Sequence, residues 1–416
     1  MQIFRTIAIF LGLSIEYYDY MIYMLMSTYL VQIFFPSEIL NQGLIYFFYG
    51  AMAASFAKIL GSIFLGYLCD KIGIKFGLSY SIIIMGLSSL AIGLLPTDQE
   101  SIFFSASILV LIRFLQGAVY SVEIPSSLTY IQAKKNNTLY GALFSSLSIG
   151  YVMASFAMAL MSNYYTNSEI LEFAWRIPFL FGSIACLFGF ILRYIVTIDF
   201  NQENKIDHKK RISDLLQSKY FIVCFKIIPL FSLPALIMIH GISCMSILNK
   251  TFNISLSSIY TVNTYSVIFS IIIAPLIGKY LFNLRKKFIQ LSIFFACIYW
   301  FIYYTFTIGI EPYKVFLFFF GYQLVLSFYY VHIIEKITKI VSKFEHKTTL
   351  IAISQSLTFI VMHQFHIQLL KLSFSINYII AAFIIIYSIL TLIFKEKEID
   401  TINLNTIKDN NENFLS

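Results

Sequence analysis

The chain has 416 residues, of which 59% are hydrophobic and only 12% are charged, whereas soluble domains carry roughly 25% charged residues. This composition excludes a soluble globular protein, and twelve membrane helices of about 20 residues each would leave no room for a soluble catalytic domain. The net charge of +8 does not indicate nucleic-acid binding, because the basic residues do not cluster with exposed aromatic residues. The five cysteines form no CxxC pair, so neither a disulfide nor a zinc site is expected.

Twelve apolar runs follow one another along the chain, each long enough to cross a bilayer as a helix of about 20 residues. They cover residues 6–30, 43–68, 76–96, 102–131, 139–162, 173–197, 220–247, 256–282, 288–308, 314–341, 348–370 and 376–394. None shows the alternation of polar and apolar residues that is typical of a membrane β-barrel. The sequence therefore predicts an all-α membrane protein with twelve transmembrane helices.

Lysine and arginine residues in the short loops indicate the orientation, because such residues are enriched on the cytoplasmic side. With the N-terminus inside, 22 of the 29 basic residues, Arg193 among them, fall in cytoplasmic segments and 4 fall outside. Both termini are therefore expected in the cytoplasm. The longest internal loop divides the chain into a six-helix bundle at 1–197, a linker at 198–219, a second bundle at 220–395 and a disordered cytoplasmic tail at 396–416.

The first predicted helix carries two acidic residues, which are costly in a bilayer unless they face a cavity or a partner. Glu16, Asp19 and Tyr23 recur at helical spacing and share one face, with Tyr20 beside them. At 1.5 Å per residue the two carboxylates lie about 15–20 Å from the start of the helix. That depth is near the middle of a hydrocarbon core of roughly 30 Å.

Lys58 is a basic residue within the second predicted helix. Two interpretations stay open for it. It either lines the cavity as a counter-ion or extends its ammonium towards the inner surface, and the second interpretation is preferred.

The turn between the second and third predicted helices contains Gly66, Asp70, Lys71, Gly73 and Lys75. Gly66 permits close contact between helices, and Asp70 can cap a neighbouring helix N-terminus or pair with a cation. An ordinary basic turn on the cytoplasmic side is the alternative. At the equivalent place in the second half a glycine and basic residues remain, but Phe282 stands where the aspartate would be.

The fourth predicted helix carries a polar stripe, which favours a water-filled cavity. The stripe consists of Arg113, Gln116, Tyr120, Glu123 and Ser127. Arg113 lies about 16 Å from the start of its helix, so it can pair with Glu16 or Asp19. Glu123 lies about 15 Å from Arg113 along the helix, too far to pair with it.

Four ordered segments within residues 12–180 resemble the major facilitator superfamily. The turn described above is similar to the signature GxxxD(R/K)xGR(R/K), with Ile74 in place of one basic residue. Segments that begin at Gly12, Arg113 and Trp175 resemble GNxxEWYDFxxYG, RFLQGxxxGGE and WRIPFL of the metabolite:proton symporter branch. That branch includes proline/betaine, citrate, 2-oxoglutarate and shikimate permeases.

The resemblance implies two six-helix bundles that rock around a midplane site, and it implies that the turn is a conformational latch. Leu13 replaces the asparagine of the branch, and Met24 replaces its glycine. Bulkier residues also flank Glu123, at 121–125. Because these departures should reshape the cavity, the resemblance does not identify the solute.

The leading hypothesis is an inner-membrane secondary transporter that moves a small polar solute together with a proton. A carboxylate of the first helix would exchange the proton under the influence of Arg113, since a nearby cation favours its ionised form and desolvation its neutral form. A purely structural ion pair is the alternative. Tyr20 and Tyr120 would suit a zwitterion such as proline or betaine, whereas Arg113 and Lys58 would suit a carboxylate metabolite.

Other function classes stay open. A non-transporting solute sensor on the same fold would explain the eroded motif in the second half, and a uniporter or exchanger would work without proton coupling. An integral-membrane enzyme is disfavoured because no catalytic nucleophile or metal constellation is visible. We expect no cofactor and no metal, a solute and the lipid bilayer as partners, no nucleic acid, and a monomer.

Overall fold

The computed structural model describes residues 2–35, 40–98, 100–134, 136, 138–197, 212–252, 254–281 and 312–371. The helices of the first half are α1 (Gln2–Leu25), α2 (Ser27–Phe34), α3 (Leu40–Ile72), α4 (Ile74–Gly93), α5 (Ile102–Tyr120), α6 (Glu123–Lys134), α7 (Thr138–Tyr164), α8 (Asn167–Glu169) and α9 (Arg176–Thr197). Those of the second half are α10 (Ser218–Phe252), α11 (Leu256–Leu276), α12 (Pro312–Val341) and α13 (Lys347–Lys371). Short π-helical turns at Ile170–Ala174 and Ile277–Leu281 precede α9 and follow α11, and a 3₁₀ turn at Ile212–Leu216 precedes α10.

Ten of the twelve predicted membrane helices coincide with these elements. Within the described residues, six helical segments are long and apolar enough to cross a membrane. The predicted helices at 288–308 and 376–394, the tail at 396–416 and most of the linker lie outside the described residues. The orientation of the termini and the domain boundaries stay predictions.

The fourth predicted helix is divided in two at Ser121 and Val122, which separate α5 from α6. Pro125 explains the break, because a proline lacks the amide hydrogen that would bond to the carbonyl four residues earlier, and its ring clashes with that carbonyl. The carbonyl concerned belongs to Ser121. As a result Tyr120 and Glu123 project from separate helical segments.

Glycines allow α3 and α5 to pack in direct backbone contact. A Cβ atom at Gly117 would lie 2.8 Å from the carbonyl carbon of Ala54, and one at Gly61 would lie 2.7 Å from that of Ala118. Such close approach is typical of helix pairs in lipid, where small residues replace the hydrophobic effect as the basis of association. This packing brings Lys58 of α3 towards Tyr120 of α5.

The two halves meet along α7 and α11 and along α3 and α13. Ser145 Oγ donates to the carbonyl of Ile271 at 2.8 Å, and Tyr260 Oη donates to the carbonyl of Leu25 at 2.9 Å. Gln132 Nε2 of α6 donates to the carbonyl of Thr338 at 2.7 Å. Polar contacts between halves that rely on single hydroxyl or amide groups can be exchanged at modest cost, since each contributes about 1 kcal/mol.

Candidate functional site

Asp19 lies at the centre of a buried polar cluster between α1, α4, α5 and α9. Its Oδ1 accepts a hydrogen bond from Ser89, and its Oδ2 accepts one from Gln116 Nε2 at 2.9 Å. Gly182 of α9 provides the room, because a Cβ atom there would lie 2.9 Å from Asp19 Oδ1. The carboxylate is therefore enclosed, with both oxygens bonded.

Arg113 reaches Asp19 through an amide. Its Nη1 donates to Gln116 Oε1 at 2.8 Å, and Gln116 in turn donates to Asp19. The guanidinium carbon lies 3.9 Å from the centre of the Tyr23 ring, so the group is held on an aromatic face. The predicted direct pair of Arg113 with Asp19 is thus replaced by a chain in which Gln116 is the link, and the predicted pair with Glu16 is wrong.

Lys58 lies in an aromatic cage and is itself buried. Its Nζ is 4.5 Å from the centre of the Tyr20 ring, 4.8 Å from that of Tyr120 and 4.5 Å from that of Phe359. Tyr20 and Tyr120 are stacked, with centroids 4.9 Å apart. Three aromatic faces stabilise an ammonium away from water, which is why the preferred expectation of an ammonium at the inner surface is wrong.

The cage is built from both halves of the chain. Tyr20 and Tyr120 belong to α1 and α5, whereas Phe359 belongs to α13. The carbonyl of Lys58 also accepts a hydrogen bond from Ser356 Oγ of α13, at 3.2 Å. Any motion that separates the halves therefore opens the cage on one side.

Glu16 and Glu123 pair with an arginine that the sequence analysis assigned to a cytoplasmic segment. Arg193 Nη1 lies 2.9 Å from Glu16 Oε1, and its Nη2 forms an ion pair with Glu123. Arg193 is fully buried in α9. The sequence did contain a signal that Arg193 lies within the helix. Leu192 and Tyr194 flank it, and a basic residue in a cytoplasmic loop seldom has such neighbours on both sides.

The turn between α3 and α4 caps a helix of the other half. Asp70 Oδ1 accepts from the backbone N–H of Thr348 at 3.0 Å, and Oδ2 accepts from the N–H and hydroxyl of Thr349 at 2.9 and 2.6 Å. These threonines begin α13, so the capping predicted for Asp70 is confirmed. A Cβ atom at Gly66 would lie 3.0 Å from the Thr349 Cα, which explains the glycine.

The other residues of this turn support its shape. Gly73 has a φ of 120°, a conformation that glycine adopts without steric cost. Lys71 Nζ lies 5.4 Å from the centre of the Tyr67 ring, and Lys75 is half-buried in the first turn of α4. Their assignment to a latch stays a prediction.

Sequence comparisons find relatives among membrane transporters. The family model described as Major Facilitator Superfamily matches residues 9–362. A putative proline/betaine transporter of Staphylococcus haemolyticus is 31% identical over 234 residues, 53% of this chain and 50% of that protein. The inner membrane metabolite transport protein YhjE of Escherichia coli is 29% identical over 193 residues, 45% of this chain and 44% of that protein. The chain spans about half the length of the curated relatives it matches.

Solved structures with the same fold cover nearly the whole chain. The proton:xylose symporter XylE, bound to 6-bromo-6-deoxy-D-glucose, superimposes with a TM-score of 0.70 at 14% identity over 93% of this chain and 94% of that one. A bacterial homologue of the iron transporter ferroportin in its outward-facing state gives a TM-score of 0.65 at 12% identity over 94% and 98%. At these identities the likeness concerns the fold alone.

Proposed function

Because this chain belongs to the major facilitator superfamily, we propose that it is a proton-coupled symporter of a small solute that carries a carboxylate group. The location of the protein in a membrane and its general class follow from family membership and from the apolar helices. The chain is a multi-pass membrane protein of this superfamily with the twelve-helix fold, and we propose that it is a secondary transporter of a small molecule and not an enzyme. The predictions of a twelve-helix all-α fold and of a multi-pass membrane location are thereby confirmed, and the orientation of the termini stays a prediction.

The charge of the cavity supports the choice of solute. Lys58 Nζ and the guanidinium carbon of Arg113 lie 4.5 and 5.5 Å from the centre of the same Tyr20 ring. Among the residues described here, Asp19 is the one carboxylate linked by hydrogen bonds to Arg113, through Gln116. Two buried cations with one ionised carboxylate leave a positive charge in excess, and a buried charge without a partner is costly. A solute carboxylate would supply the missing charge.

The aromatic cage supports a further choice between the solute classes. Tyr20, Tyr120 and Phe359 present the faces that a quaternary ammonium would need, but Lys58 already covers them. A betaine cation would have to displace an ammonium that is covalently attached. We therefore favour a carboxylate metabolite over betaine, although proline/betaine transport is named for several relatives.

Proton coupling follows from competition for the same cations. An ionised Asp19 partly neutralises Arg113 through Gln116 and so weakens the attraction for a solute anion. A protonated Asp19 leaves both cations to the solute, so proton and anion each increase the affinity for the other, as reciprocal linkage requires. Asp19 is thus the proton site in this proposal, with Gln116 and Arg113 as the groups that connect it to the solute.

The experiment is uptake of labelled solutes into proteoliposomes with and without an inward pH gradient. Citrate and 2-oxoglutarate should accumulate, and betaine should accumulate less. Asp19→Asn should abolish accumulation driven by the pH gradient while exchange of solute remains measurable. Asp98→Asn, an exposed residue that bonds only within its own loop among the contacts described, serves as the matched control.

Two outcomes would overturn the proposal. Full proton-driven accumulation in the Asp19→Asn variant would remove Asp19 from the coupling step. Binding of any of the four candidates, proline included, without its uptake would instead favour a solute sensor on the same fold.

A further inference from the structure

A second buried charge cluster lies beside the cavity and takes no part in the proposed symport. Glu16 of α1, Glu123 of α6 and Arg193 of α9 are fully buried. Arg193 bonds to both carboxylates and also donates to the carbonyls of Leu78 and Ile9. Within the described part of the chain one guanidinium therefore faces two carboxylates. If both were ionised, one negative charge would remain in excess.

Ser81 of α4 lies between the two glutamates, which we call the glutamate pair. Its Oγ is 3.0 Å from Glu16 Oε1 and 2.9 Å from Glu123 Oε2. A serine hydroxyl has one hydrogen to donate, so it can satisfy only one of these contacts as a donor. If both carboxylates were ionised, the other contact would place an oxygen lone pair against a carboxylate oxygen.

One bound proton would neutralise the excess negative charge and would also supply the missing hydrogen-bond donor. A protonated carboxyl has an O–H that donates to Ser81 Oγ, and Ser81 then donates to the second carboxylate. Arg193 pairs with the one charge that remains, so the cluster becomes neutral. Buried ion pairs are stable only when every partner is satisfied in this way.

We propose that Glu16 and Glu123 hold one proton between them, relayed through Ser81, with Arg193 as the counter-ion of the remaining carboxylate. The glutamate pair is a proton-binding site separate from Asp19, which has its own partners in Ser89 and Gln116. The inference does not rest on coupling at Asp19 and stands if that coupling fails.

No other group described near the pair supplies the missing positive charge. The titratable side chains that face it from neighbouring helices are Cys186 of α9, Cys69 of α3 and Tyr120 of α5. Thiols and phenols are ordinarily uncharged at neutral pH. Gly12 of α1 leaves room for the Arg193 guanidinium itself, because a Cβ atom there would overlap it.

The direct test is infrared difference spectroscopy of the purified full-length protein at neutral pH, following the C=O stretch of a protonated carboxyl. The wild-type protein should show this band. Because Asp19 can also carry a proton, the glutamine variants are made in the Asp19→Asn background, where Glu16→Gln and Glu123→Gln should each abolish the band, since the one carboxylate left would pair with Arg193 as an ion. Asp19→Asn should retain it. A wild-type protein without the band, or a band that persists in both glutamine variants, would overturn the proposal.

A second measurement uses thermal unfolding across pH and needs no transport. In this proposal the folded pair keeps one proton, whereas free glutamates are ionised at neutral pH, so folding would bind a proton and stability would fall as pH rises. The unfolding constant should then increase about tenfold per pH unit over that range. Either glutamine variant should lose this slope and still fold, since the glutamine amide can donate to Ser81. Equal slopes in the wild-type protein and in both variants would contradict the shared proton.

Discussion

Asp70 connects the two halves through the first turn of α13, and its removal should open that connection. The carboxylate accepts three hydrogen bonds, from the N–H groups of Thr348 and Thr349 and from the Thr349 hydroxyl. Asp70→Asn keeps the size of the side chain but provides one oxygen acceptor in place of two. It also removes a negative charge from a helix N-terminus, where such a charge is stabilising.

The expected loss of stability of the capped state is the sum of two contributions. Loss of a capping bond costs about 1 kcal/mol, and loss of the favourable charge at the helix terminus costs about 0.3–1 kcal/mol. We therefore expect a destabilisation of the capped state by about 2 kcal/mol at most, relative to states in which Asp70 faces water. At 1.4 kcal/mol per factor of ten, the ratio of capped to uncapped molecules should fall by up to about 30-fold.

The assay is the distance between spin labels on cysteines introduced at Lys134 and Lys343, exposed positions in the two halves. The cysteines described in the structure are buried and should label poorly. Asp70→Asn should broaden the distance distribution and add longer distances, whereas Asp98→Asn should leave it unchanged. If both variants gave the wild-type distribution, Asp70 would be a local cap and not a latch between the halves.

Three further predictions follow from single side chains. Lys58→Met should raise the KM for a carboxylate solute by about tenfold or more, the effect of losing one buried charge partner, and initial uptake rates measure it. Gly12→Ala should lower stability by about 1–3 kcal/mol through overpacking, seen as a lower Tm, whereas Gly50→Ala should not, since its Cβ would lie 3.6 Å from the nearest atom. Gly182→Ala should crowd the carboxylate of Asp19 and reduce proton-driven accumulation without loss of expression, which uptake and membrane yield would report; normal accumulation would contradict it.

Local patterns in the sequence were enough to predict the structural features that depend on neighbouring residues along the chain. The apolar runs predicted ten of the helices because bilayer thickness sets their length. The capping role of Asp70 was also predictable, since a carboxylate in a helix–helix turn has few other partners. The polar stripe correctly placed Gln116 and Arg113 on one face of α5, because helical periodicity determines which side chains share a face, but the link from Arg113 to Asp19 through Gln116 was not predicted.

Long-range pairing was not predictable in the same way. Arg193 and Glu16 are separated by 177 positions, and loop counting treats a basic residue near a helix end as cytoplasmic. The tally of inside charges accordingly includes one residue that is buried. Lys58 was misjudged for a similar reason, because its cage combines rings from α1, α5 and α13. No local pattern indicates that three distant rings converge on one ammonium.

The contribution of Phe359 to the Lys58 cage bears on the return of an unloaded carrier. In the proposed symport cycle the carrier must reorient without its solute before the next cycle begins, and the empty cavity would then hold an ammonium with no solute anion beside it. Aromatic faces can stand in for that anion, because the negative face of each ring attracts the ammonium. Phe359 lies against Lys58 in the arrangement in which α13 packs against α3. The Phe359 ring would thus stabilise the unloaded carrier while it changes between its two orientations. In the loaded carrier the solute carboxylate would stabilise the Lys58 ammonium instead.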